Sequence, residues 1–219
     1  QSAINKVQFI CFALSLGADE PWILNSLCAP FGFKPYREFL KDCGRIDGLP
    51  ESVKLFCHEK KFSLKQILNL AHYPEEILLQ LMEWRSDIQI TASILDEIAS
   101  NLRDHLKANK KALGDFLSES GAQEIIRSSM SPRDKTEKLR EIIRLRRFPV
   151  LSGVNKKMDE TVEHLKLPTE ISVAWDRTLE NKNVDIVVHL HDMKKFEGLL
   201  KVLNSPEMKK PAERMLEEL

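Results

Sequence analysis

Neither sign of charge prevails in this chain: 33 Lys and Arg stand against 33 Asp and Glu in 219 residues. That balance argues against a protein that coats nucleic acid indiscriminately, because such binding draws on surplus positive charge. Any electrostatic footprint must be local. Residues 1–82 carry nine basic and nine acidic groups, and residues 133–168 carry ten and six. Long hydrophobic runs are missing too. Val7 to Leu16 is interrupted and far short of the ~20 residues of a membrane span, and no small-residue cleavage signal follows it, so it reads as a buried core helix and not a signal peptide. The four cysteines (Cys11, Cys28, Cys43, Cys57) form no C-x-x-C pair, which argues against zinc and for free thiols in a reducing cytoplasm. The phosphate-cradling, nucleophile-elbow, zinc-protease and dinucleotide signatures are all absent, so we expect neither an enzyme nor a cofactor. The chain opens on Gln1, not Met, and is read as a fragment or processed product.

What is present is helical punctuation. Ile4 to Leu16 is ended by Gly17; Asp19 caps, and Pro21 opens, a helix through Trp22, Ile23, Leu24, Leu27 and Cys28. Pro30 and Phe31 to Lys34 form a turn, and Pro35 is expected to open a third helix with Phe39 and Leu40 inward and Tyr36, Arg37 and Lys41 outward. A supporting helix followed by two short helices and a Gly-containing turn is the helix-turn-helix plan. From Gly44 to Leu81 the pattern gives two short helices packed by Leu49, Val53, Leu55, Phe56, Leu64, Ile67, Leu68 and Leu70, with a basic turn between them. Ser63 and Gln66 have capping-box spacing. Tyr73-Pro74 closes one helix and starts another, with Glu75 and Glu76 at its positive end.

Thr91 to Leu117 reads as one amphipathic helix, with apolar residues at 94, 95, 98, 102, 106 and 113. A short helix over 121–130 precedes one opened by Ser131-Pro132, with Leu139, Ile142, Ile143 and Leu145 inward. Beyond Phe148-Pro149 come a helix over 154–165, strands at 171–175 and 185–191, and a helix capped by Asp192. The last residues, from Pro206, read as a weakly ordered tail or a short helix. The fold class expected is mainly α. A helix-turn-helix-containing domain over 1–118 leads to a helical connector over 119–168 and a strand–strand–helix module over 169–219.

The order of elements over 1–110 resembles the central DNA-binding domain of ParB-type chromosome- and plasmid-partition proteins. The carrying residues are the helix-turn-helix candidate 20–46, its continuation Arg45 to Val53 with Leu49-Pro50-Glu51-Ser52-Val53, and the basic turn Glu59 to Ser63. Val184 to Leu200 resembles the strand-then-helix module that closes and dimerises many such chains. The family's Arg-rich nucleotide-binding motif and its domain are absent, so nucleotide binding is not carried over. Leu64-Lys65-Gln66-Ile67 stands where the family has Gly-His-Ala-Arg. The resemblance implies a cytoplasmic, nucleoid-associated protein acting in partition or transcriptional regulation. It would bind double-stranded DNA and form a homodimer through its C-terminal module. The competing reading is a helical interaction scaffold that has lost DNA binding.

Candidate DNA contacts fall in two groups. Lys34, Tyr36, Arg37, Lys41 and Arg45 could reach phosphate or base edges from the second helix of the motif. Lys60, Lys61, Ser63 and Lys65 flank a helix start, where backbone N–H groups favour phosphate. The denser basic run, Arg133 to Arg147, is diluted by Asp134, Glu137 and Glu141 and reads as a solvated, ion-paired face. His189 and His191, placed on one strand face, are two ligands without a third, and Cys57-His58 has no orienting acid.

Overall fold

A computed structural model describes residues 2–219, which form two units divided between Arg147 and Phe148. The protein is mainly helical, with one two-stranded antiparallel sheet near the C-terminus followed by helices.

In the first unit α1 (Ala3–Ser15) begins where the Ser2 hydroxyl accepts the Asn5 N–H. Gly17, at φ +83°, reverses the chain. The Asp19 carboxylate then caps α2 (Glu20–Trp22), whose helix widens into a π turn over Ile23–Leu27. A loop over 28–38 leads to α3 (Phe39–Asp47), α4 (Glu51–Glu59) and α5 (Leu64–Leu70). The expected helix start at Pro35 is wrong by one turn. Tyr36 donates to Asp42 at 2.5 Å and sets its ring edge-on to Phe39 at 5.7 Å, so residues 35–38 fold over the mouth of α3 instead of extending it.

The unit continues through α6 (Glu75–Trp84), α7 (Ala92–Asn109), α8 (Leu113–Glu119), α9 (Ala122–Arg127) and α10 (Pro132–Arg147). The single helix expected over 91–117 is broken at Lys110, which adopts a left-handed conformation at φ 52°. Lys110 and Lys111 donate back to the carbonyls of Lys107 and Leu106, satisfying the last turn of α7. α1 packs on α3, α4, α5 and the π turn; α6 packs on α4 and α7, and α7 on α10. Val7, Ile10, Ile23, Val53, Ile67, Ile77, Leu95, Leu102, Leu139 and Ile143 belong to one continuous core. Two expected core residues lie outside it: Leu55 and Leu145 are exposed, because each points from its helix away from the packed neighbours.

In the second unit α11 (Pro149–Leu165) precedes β1 (Ile171–Trp175) and β2 (Val184–Val188), paired from Ile171 opposite Val188 to Trp175 opposite Val184. A 3-10 turn at Met193–Lys195 leads to α12 (Phe196–Asn204) and α13 (Pro206–Glu218). Of the two readings of the last residues, a weakly ordered tail or a short helix, the helix is the one found, and it runs for 13 residues. It packs on α11, α12 and β2, and Met208 and Met215 are buried. The Trp175 indole donates to Asn155 on α11 at 2.8 Å, and Arg177 grips Asp159 of α11 with two bonds of 2.7 Å while lying over the Trp175 ring. These contacts join α11 to the sheet. The segment expected as a connector, 119–168, is accordingly shared: its first part belongs to the core of the first unit, its last part to the second.

Candidate nucleic-acid interface

The residues expected to read DNA from the motif's second helix are split by the late start of α3. Lys34, Tyr36 and Arg37 sit in the exposed loop before it, and only Lys41 and Arg45 lie on it. Residues 28–38 also replace the three- or four-residue turn of a helix-turn-helix, so α2 and α3 keep the order of that motif without its tight connection. An aromatic chain fills the loop. Phe9, Phe31, Phe33 and Phe39 follow one another at centroid distances of 5.7, 6.5 and 5.5 Å, and Lys6 donates to the Phe31 carbonyl at 2.6 Å.

The two cations on α3 already have carboxylate partners. Lys41 meets Glu38 at 3.4 Å, an exposed pair of small energetic weight. Arg45 meets Asp42 at 2.9 Å, and that carboxylate is nearly covered. Asp42 thus holds Arg45 and Tyr36 together. Burial and the Asp42 hydrogen bond push the Tyr36 hydroxyl up to about 12. Glu38 and Asp42 shape this site and were not among the expected residues. Their signal was the three-residue spacing to Lys41 and Arg45.

At the second group, Ser63 is committed locally. Its hydroxyl caps the Gln66 N–H, and the Gln66 side chain accepts from the Ser63 backbone at 2.8 Å, so the capping box is complete. Lys60 ends α4 with its ammonium 5.8 Å from the Phe56 ring centroid, and Lys61 takes the left-handed turn at φ 54°. Lys65 stands exposed in the first turn of α5. Lys34, Arg37, Lys60, Lys61 and Lys65 make no salt bridge among the described residues. The structure brings α3 and α5 into contact, so Lys41, Arg45 and Lys65 stand on one packed pair of helices, while Lys34, Tyr36, Arg37, Lys60 and Lys61 lie in the segments before them.

Elsewhere the alternatives weaken. β2 ends at Val188, so His189 and His191 lie beyond the strand and not along one of its faces. No group of three metal-ligating side chains occurs among the described residues. All four cysteines are free, and burial pushes Cys43 and Cys57 up to about 12, which leaves unreactive thiols. In the basic run, Arg140 binds Glu97 of α7 at 2.8 Å and Glu137 at 3.0 Å, tying α10 to α7. The second unit has an open groove of about 780 Å³ between α11 and α13, floored by Met158 and Met215 and rimmed by charges of both signs. No helix among the described residues is long and apolar enough to cross a membrane. In comparisons with known proteins, no family model, curated protein or solved structure matches the chain.

Proposed function

We propose that this chain is a double-stranded DNA-binding protein of ParB-like type, acting in partition or transcriptional regulation, and that it holds DNA by phosphate contacts more than by base reading. One observation carries the reading. The cations of the loop before α3 and of the turn before α5 are unneutralised, whereas those on α3 itself are paired with Glu38 and Asp42. Phosphate contacts draw on exposed cations without a carboxylate partner; base readout needs free donors on a helix presented to the groove. The first condition is met and the second is not. The second unit supports pairing of two protomers. β2 and the residues after it expose Ile186, Val187, Leu190 and Met193, and a two-stranded sheet is marginal until its edge is covered.

The test is fluorescence anisotropy of labelled duplex titrated with the full chain at several salt concentrations. Binding should be tight at low salt, weaken steeply as salt rises, and fall in Arg37→Ala and Lys61→Ala. Arg45→Ala should change it little, since Arg45 is spent on Asp42. Absence of binding at low salt contradicts the reading. The second reading, a helical interaction scaffold, is favoured by the same α3 ion pairs, which leave that helix without a free cation for DNA.

A further inference from the structure

α1 has two apolar faces, and the core takes only one. Ile4, Val7 and Ile10 are buried. On the opposite side Phe9 is 50% exposed, Phe12 59%, and Leu16, just past the helix end, 72%. With exposed Asn5 they are spaced four, three and four residues apart. That alternation lays side chains along one seam of a paired helix. A helix packed on one side of a soluble core ordinarily turns polar residues outward; here the outward seam is aromatic.

The geometry points to antiparallel pairing of α1 with α1 of a second copy of this chain, about a two-fold axis passing between Phe9 and Phe12. In that arrangement Phe9 of one copy meets Phe12 of the other, and Asn5 meets Leu16 at the wet ends of the contact. Three observations select a second copy as the occupant. The only charged side chain on α1, Lys6, is tied to the Phe31 carbonyl and lies over the Phe33 ring, so the seam is uncharged and meets itself without repulsion. A nucleic acid or a charged peptide would find nothing there to complement. The Phe9 ring is already held edge-on by Phe31 at 5.7 Å, which lowers the ordering cost of association.

Area agrees. At roughly 200 Å² per full aromatic side chain, Phe9, Phe12 and Leu16 offer about 350 Å² of apolar surface. Trp22, which leads into the π turn packed on α1, is half exposed and brings the total to about 450 Å². A standard interface buries about 800 Å² per partner, somewhat over half of it apolar, or about 450 Å². The pairing uses a different surface from the sheet-edge contact of the second unit, and a chain with two self-complementary surfaces assembles beyond a dimer.

Sedimentation equilibrium of the full chain tests this in a Val187→Lys background, which removes the sheet-edge contact. With α1 intact the mass should rise from one protomer toward two as concentration increases. Phe9→Glu with Phe12→Glu should hold it at one protomer throughout, while Phe12→Leu keeps the rise; circular dichroism checks that each variant is folded. Leu16→Lys gives a second disruption, outside the helix and away from the core. A mass fixed at one protomer with α1 intact overturns the proposal and leaves the seam to another occupant. An unchanged rise in the double Glu variant overturns it as well.

Discussion

Asp42, on α3, is nearly covered, with the Tyr36 hydroxyl and the Arg45 guanidinium both donating to it. Tyr73 repeats the arrangement with Asp96 at 2.7 Å. These are the only two tyrosines in the chain, and burial, reinforced by the carboxylate partner, raises both hydroxyls to about 12. An unfolded tyrosine ionises near 10. The folded state therefore keeps both protons longer than the unfolded state, and the stability this represents is complete below pH ~10 and lost as pH rises through ~12. Tyrosinate absorbance should show almost no ionisation at pH ~10 in buffer and about half ionisation in denaturant. A native titration centred near 10 would mean that neither hydroxyl is held. At this scale the sequence was legible where partners are three residues apart on one helix, as with Glu137 and Arg140; Asp42 and Arg45 carry the same spacing and were missed. It was silent on Tyr36, whose bond to Asp42 depends on how the loop before α3 folds.

Helix α5 shows what local sequence can specify. Ser63 and Gln66 close a capping box that needs no tertiary contact, and the spacing alone revealed it. Ser63→Ala should cost about 1 kcal/mol, read as a shift of the urea midpoint. The α7 terminus shows the opposite. Apolar spacing ran across Lys110 because a helical period counts side chains and is blind to a single left-handed residue between them. Lys110→Gly relieves that conformation and should stabilise the protein by about 0.5–1 kcal/mol in the same assay. Two further elements were legible only in part, for related reasons. α1 is apolar on both sides, so composition could not say which side the core takes. The residues of α13 fit a tail or a short helix alike, and they carry Pro211 within a charged stretch; burial of Met208 and Met215 sustains the helix past that local penalty.

For the whole molecule the fold class was legible because helix caps, prolines and apolar periods recur along the chain. The division at Phe148 was not, since nothing in residues 119–147 marks them as packing back onto α7. The proposed duplex binding depends on where charge stays unpaired, and that too is a tertiary property: residues 1–147 hold 22 basic and 20 acidic groups, so pairing decides the local field. Lys34, Arg37, Lys60, Lys61 and Lys65 are the cations left over near α3 and α5. If they hold the duplex, the salt dependence of binding measures them. The plot of log affinity against log salt should have a slope of about −4.5 per protomer, and Lys61→Ala with Lys65→Ala should flatten it by about 2. A slope that the double variant leaves unchanged, or no duplex binding at low salt, would contradict the account.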